Sequence, residues 1–492
     1  MTTMASKDTS YSPKVQKRTL KGHRQPVLCI SHPGDHAKYS SITDAHHPSL
    51  LLSGSEDGTA RLWDLRTRKT AYCIIAPTIE NEPNDVTAVA FHPSVIEEGQ
   101  SSGDTDISTS RLDCMVYASS GTNVYGYDLR TCTGPIIKTP HLDLSPSFQC
   151  QDEINQLSFS FPKRNKDGRR NYHLAAVDDC GEVHIPSECI PQRSIVSEQS
   201  PISVKHTVLH HAEPGSHTIA SSAVFRPRVN GMYVASGGTD CMVKLFDVSK
   251  PKRATSSIHI KPAESENTTQ ICNPPFIHSL QWSPSGRLLA AAVGDGSCVI
   301  LRGEGNRLVE IGRLGYDEGG HGSAVAAVCF PGFGSTSKPS SSAEAEDRLL
   351  ISAGNDGKLL FWDLGGNMVD GDALDPLLYL GECSDVNREA KEKDNELQSA
   401  TEALKSATIS SKKSKGKNKK KGKTNNQHKA STDDDLFLDD LLPSPPKVLF
   451  QIPHRHKPNW ITCSRASSDA LPSSVFVADT TNDISIYSLP SS

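Results

Sequence analysis

LLLSGSEDGTARLWDL (50–65) reads as a short apolar strand, an Asp-Gly turn and a second strand ending in Trp-Asp-Leu. An Asp-Gly pair between alternating apolar residues signals a tight hairpin, because such turns need a residue that tolerates positive φ. The same order returns at LLISAGNDGKLLFWDL (349–364) and, with Phe246 replacing tryptophan, at YVASGGTDCMVKLFDV (233–248). In all three the turn aspartate precedes the aromatic by six residues: Asp57 to Trp63, Asp240 to Phe246, Asp356 to Trp362. Weaker copies stand at 116–129, 173–185, 288–301 and 475–489, so one unit recurs seven times. A period of roughly 43 residues is that of a solenoid or a propeller.

Ahead of each copy lies a second apolar strand: PVLCISH, VTAVAFHP, INQLSFSF, ASSAVFRP, IHSLQWSP, AVAAVCFP and NWITCS. Their apolar residues alternate with polar ones and none has helical periodicity, the pattern of half-buried strands. Several strands in each of seven repeats predict an all-β, seven-bladed propeller of four-stranded sheets. The last repeat ends at Leu489, three residues before the end of the sequence, which leaves its sheet short of an outer strand. KVQKRTL (14–20) is expected to supply that strand and so close the ring, removing an exposed edge. The expected organisation is a disordered 1–13, blades 1–6 with the closing strand over 14–365, a charged low-complexity insertion over 366–447, and the final blade over 448–492.

Composition narrows the function. Hydrophobic residues make up 36% of the 492 and charged residues 22%, with 35 glycines and 31 prolines, as in a turn-rich soluble chain. No run of eighteen apolar residues occurs and the N-terminus has no signal-peptide core, so no membrane partner is expected and the location is intracellular, nuclear and/or cytoplasmic. Thirteen cysteines follow no metal or disulfide spacing. A net charge of −5 gives no global field that would draw nucleic acid.

Gly22-His23 followed by Trp63-Asp64, and His321 followed by Trp362-Asp363, resemble the WD-repeat family. That resemblance implies two buried hydrogen-bonded sets, His23-Ser53-Asp57-Trp63 and His321-Ser352-Asp356-Trp362, which are structural because a buried indole N–H and a buried carboxylate both need partners. Asp64-Leu65-Arg66 recurs one blade later as Asp128-Leu129-Arg130, with Tyr127 in place of the tryptophan. The doubled Asp-x-Arg resembles the docking box of WD-repeat substrate receptors of cullin-RING ubiquitin ligases. It implies that Asp64, Arg66, Asp128 and Arg130 bind the propeller adaptor of those ligases, damage-specific DNA-binding protein 1, while another surface takes an unknown client protein. Arginine suits this task because its planar fork makes several directed hydrogen bonds. The order of the segments, with a lysine-rich insert before the last repeat, also resembles that of one family member considered a candidate receptor of this ligase.

The insertion carries a helix-like stretch at 387–405, then eight lysines in twelve residues (Lys412, Lys413, Lys415, Lys417, Lys419, Lys420, Lys421 and Lys423), then DDDLFLDDLL (433–442). Like-charge blocks resist folding. The lysines fit a solvated spacer, a nuclear-import signal or a nucleic-acid contact, and the last makes a nucleic-acid-associated assembly factor the alternative function. HHAEPGSH (210–217) has no metal-site spacing, and His217 is expected to open the fourth blade. No metal, no cofactor and no enzymatic activity are expected, since no phosphate-binding loop, nucleophile elbow or zinc-protease motif occurs.

Overall fold

The computed structural model describes residues 15–33, 49–77, 84–93, 115–129, 132, 134–138, 148–160, 172–186, 206–212, 216–229, 232–263, 273–331, 347–365, 445–464 and 473–489. The 1–13 tail, the 387–405 stretch and the lysine run fall outside these residues. Among the described residues all 29 regular elements are strands, gathered in seven sheets.

Blade 1 is Val27–Ser31, Leu50–Ser55, Thr59–Asp64 and Lys69–Ile75, each antiparallel to the next. Blade 2 runs from Val89–Phe91 to Phe148–Gln149, blade 3 from Ile154–Phe159 to His206–His210, and blade 4 from Ala220–Phe225 to Ser256–His259. Blade 5 runs from Ile277–Trp282 to Arg307–Leu314 and blade 6 from Val325–Cys329 to Lys447–Pro453. Blade 7 has three strands of its own, Pro458–Ser464, Ser474–Asp479 and Asp483–Ser488, and is completed by Gln16–Lys21.

The architecture is the seven-bladed propeller that the repeats predict, closed by the N-terminal strand. One boundary differs. Lys447–Pro453 pairs with Lys358–Asp363, so it is the outer strand of blade 6 and the last blade starts at Pro458 rather than 448. The charged insertion therefore separates the third and outer strands of one blade. The insertion puts Lys447–Pro453 far from Lys358–Asp363 in sequence and directly ahead of the last repeat, which is why sequence order assigns it to the wrong blade.

Burial falls from inner to outer strands. Leu349–Gly354 is buried throughout, whereas in the closing strand Gln16–Lys21 only Leu20 is. That strand is held mainly by its ladder to Asp483–Ser488, with Leu20 inserted among Trp63, Leu51, Phe476 and Ile484 where blades 7 and 1 meet. The other core clusters also straddle neighbouring blades, as Ala235 and Leu245 of blade 4 do with Leu280 and Val299 of blade 5. At roughly 1.5–3 kcal/mol for each large apolar side chain fully buried, these interfaces hold the ring together.

Six blades share a register shift at the start of the innermost strand, between Val27/Cys29, Ile154/Gln156, Ala220/Ser222, Ile277/Ser279, Val325/Ala327 and Pro458/Trp460. A bulge re-aims one side chain out of the ladder. Here that side chain often reaches the next blade: Asn155 donates to the Ala220 carbonyl (3.0 Å), Asn459 to the Val27 carbonyl (2.9 Å), and Ser221 to the Ile277 carbonyl.

Candidate functional site

Blade 1 ends its third strand with Trp63 and Asp64, and the chain then turns through Leu65 to Lys69. Leu65 is buried at the interface with blade 7, which forces Arg66 outward. Arg66 Nε and Nη2 donate to the two oxygens of Asp64, each at 3.0 Å, and its backbone N–H donates to Oδ1 at 3.0 Å. The Arg66 side chain remains 68% exposed while that of Asp64 is 18% exposed. These hydrogen bonds hold the Asp64 carboxyl below its usual range. Arg68, at φ 57°, donates its N–H to the Asp64 carbonyl, and Arg66, Arg68 and Lys69 form a basic exposed rim. The guanidinium is thus oriented, with N–H groups to spare: two donors serve Asp64 and three remain of the five that arginine carries.

The second box is described only as far as Leu129; Arg130 lies outside the described residues. Asp128 is buried, unlike Asp64. Beyond it the chain returns to blade 1, where Ile136–Ile137 pairs in parallel with Cys73 and Ile74 of the outer strand and Cys73 donates its N–H to the Pro135 carbonyl at 2.7 Å. This fifth strand ties the segment after the second box to the strand after the first. Between them lies an open groove of about 390 Å³ lined by Ala71, Tyr72, Cys132, Gly134 and Pro135, with Ile136 58% exposed beside it.

The interior sets are hydrogen-bonded. His23 Nδ1 lies 3.1 Å from Asp57 Oδ2, His23 Nε2 lies 2.8 Å from Ser53 Oγ, and Trp63 Nε1 donates to the same oxygen at 2.8 Å. In blade 6, His321 lies 2.9 Å from Asp356 and 2.7 Å from Ser352, whose Oγ accepts from Trp362 Nε1 at 2.8 Å. Burial lowers the His23 pKa against the opposing pull of Asp57. Burial pushes the Asp57 carboxyl up, but hydrogen bonds from His23, Thr59 and the Arg24 N–H outweigh it and hold the group well below its usual range. A serine, histidine and aspartate in line have the outline of a hydrolytic triad, yet Ser53 is 0% exposed and its oxygen is capped by an indole N–H. No substrate can reach it.

Sequence reasoning missed two further sets. His211, not His217, opens blade 4, bonding Ser236 Oγ at 2.6 Å and Asp240 Oδ1 at 3.0 Å, while His217 is exposed. The loop from His211 to the innermost strand at Ala220 is longer than the four-residue step from His23 to Val27, which hides the fixed offset. In blade 7, His454 lies 2.7 Å from Tyr487 Oη and 3.1 Å from Asp479, so tyrosine takes the role of tryptophan. Donors that could meet on a metal ion come together in blade 3, at Cys150, Asp178 and His184.

The family profile described as WD domain, G-beta repeat matches residues 14–64 and 267–300. With it, a WD repeat-containing protein 53 homolog of Dictyostelium discoideum is 27% identical over 363 residues, 71% of this chain and 78% of that protein. Two stretches of the chain thus match the WD-repeat family, one of them holding the His23, Ser53, Asp57 and Trp63 set. The β-propeller domain of Cps50 (Swd1) from Myceliophteria thermophila has the same fold, with a TM-score of 0.52 at 10% identity over 97% of this chain and all (100%) of that one. A propeller with WD-repeat matches is consistent with a protein-interaction scaffold.

Proposed function

We propose that the protein is a substrate receptor of a cullin-RING ubiquitin ligase, and that Asp64, Arg66, Asp128 and Arg130 dock the damage-specific DNA-binding protein adaptor. The observation that carries this reading is the state of Arg66: exposed on the rim, yet held by a two-pronged pair to Asp64 with three donors free. An oriented guanidinium loses less side-chain entropy on binding than a free one. The parallel strand from blade 2 onto blade 1 supports a composite surface spanning both boxes. Such a receptor works inside the cell, in nucleus or cytoplasm, and leaves other faces of the ring to a client protein.

The test is capture of the purified adaptor by the full chain. Arg66→Ala combined with Arg130→Ala should lower affinity by well over about tenfold, as loss of charged anchors at an interface centre does. The circular dichroism spectrum and melting temperature should match the parent's. Capture at parental levels would overturn the proposal. Binding to nucleic acid that falls steeply with salt and vanishes on deletion of 412–423 would favour the assembly-factor alternative.

A further inference from the structure

Blade 3 departs from its neighbours at one corner. In blades 4 and 7 the residue that donates its backbone N–H to the preceding blade's turn is a histidine, His211 to the Gly181 carbonyl and His454 to the Gly357 carbonyl. The same bond is made in blade 3 by Cys150, to the Thr122 carbonyl at 2.8 Å, and in blades 2 and 5 by Ala76 and Ile260. Blades 2 and 5 simply fill the corner with apolar atoms. Blade 3 fills it with donors.

A Cys150 sulfur, an Asp178 carboxylate oxygen and a His184 ring nitrogen all lie within 4.8 Å of one another, and all three residues are buried. Glu182 stands two residues before His184 on the strand Glu182–Pro186 and therefore shares its face. Its Oε2 is buried, accepts no hydrogen bond and lies 3.3 Å from His184 Nε2. The same nitrogen lies 3.0 Å from Asp178 Oδ2. One ring nitrogen thus faces two carboxylate oxygens, and one proton on it can be aimed at only one of them. A divalent cation in that place takes the Asp178 oxygen, the His184 nitrogen and the Cys150 sulfur together, with the Glu182 oxygen beside that nitrogen.

The surroundings orient the donors. Asp178 accepts from the Glu182 N–H at 2.9 Å and the Gln151 N–H at 3.2 Å, and His210 Nδ1 lies 3.0 Å from Glu182 Oε1. Outer partners of this kind fix the direction of metal-binding carboxylates. The His210 side chain is 48% exposed, so Glu182 sits between the buried donors and solvent and offers a way in.

We propose that Cys150, Asp178, Glu182 and His184 form a structural zinc site that pins the corner of blade 3. A sulfur, an imidazole nitrogen and a carboxylate oxygen already stand together, and the Glu182 carboxylate beside His184 moves in as the fourth donor; such a set suits zinc, whereas the sulfur disfavours magnesium and calcium. On binding, the Cys150 thiol proton and any proton on His184 Nε2 are released to solvent as the Zn–S and Zn–N bonds form. The metal does for blade 3 what histidine, serine and aspartate do for blades 1, 4 and 6.

The full chain, stripped with a chelator and titrated with cobalt(II), should take up one equivalent and show a thiolate-to-cobalt charge-transfer band that zinc abolishes. Cys150→Ser should remove the band, and Glu182→Gln should weaken cobalt affinity by at least about tenfold. Cys180→Ser, a change at the exposed neighbouring thiol, should leave the band in place. Both site variants keep the shape of the side chain, and their folding is checked by circular dichroism. As a second measure, zinc should raise the melting temperature of the parent but not of Cys150→Ser. Absence of the band in the parent, or its survival in Cys150→Ser, would overturn the proposal.

Discussion

Blades 1 and 6 end their third strands in the same Trp-Asp-Leu and carry the same interior set, yet their rims are used in opposite ways. Asp64 is gripped by Arg66 from its own exposed turn. Asp363 is gripped by Arg348, whose Nε lies 2.5 Å and Nη2 3.3 Å away, and both residues are buried. Arg348 precedes the second strand of its blade and meets Asp363 because Leu349 and Asp363 pair across the hairpin. One arginine seals its rim, and the other offers its guanidinium to solvent. A Trp-Asp signature thus reports the blade but not the rim; the position of the arginine decides that.

The largest expected effect comes from breaking the sealed rim. Asp363→Ala leaves a buried guanidinium without its carboxylate and should cost about 3–5 kcal/mol, seen as a lower denaturant midpoint. Asp64→Ala, on the open rim, should leave the midpoint where it is. Equal losses at the two sites would erase the distinction between the rims.

The interiors, by contrast, should respond alike. Trp63→Phe and Trp362→Phe each delete an indole N–H that a buried serine oxygen accepts, at a cost of about 1–3 kcal/mol apiece. A loss confined to one blade would mean the two interiors differ as much as the rims do.

Replacing the sealed pair as a unit sharpens the point further. Arg348→Met with Asp363→Leu should restore the midpoint to near the parent's or above it, since well-packed apolar residues commonly match a buried ion pair. A double variant as weak as Asp363→Ala would show that the pair itself stabilises the blade.

The smallest effect concerns pH. His23 is held below its ordinary value, so the folded chain binds fewer protons there than the unfolded one, and stability falls as pH drops below about 6.5. Asp57 and Asp356 are also held low, so their contribution is complete above the usual carboxylate range and is lost as pH falls below about 4. Each group changes stability by at most about 1.4 kcal/mol per pH unit. Melting temperatures should decline gently from pH 7 to 5 and steeply below 4; a flat profile down to pH 3 would contradict the lowered pKa values of His23, Asp57 and Asp356.

Legibility followed the range of the interaction. The hairpin from Leu50 to Asp64 is written in adjacent residues, and the fixed offset from Asp57 to Trp63 made the interior sets of blades 1 and 6 readable. The docking candidate at Arg66 was readable too, because its partner Asp64 is two residues away. His211 escaped because a longer loop displaced it from the expected offset, and the parallel strand Ile136–Ile137 is too short to show any period. Lys447–Pro453 escaped because the long insertion detaches it in sequence from the strand Lys358–Asp363 it pairs with and sets it beside the last repeat.

By itself the sequence determined the blade, the number of blades and the closure of the ring, since strand alternation, turn chemistry and repeat spacing are local properties that each unit carries alone. Only the tertiary structure decided which side chains meet across a sheet or between blades. Arg348 against Asp363, Asn459 against the Val27 carbonyl, and Cys150 beside Asp178 and His184 all depend on register and ring geometry. The physical reason is that a hydrogen bond or a coordination site is specified to within a few tenths of an ångström, while hydrophobic pattern specifies only which face of a strand is buried.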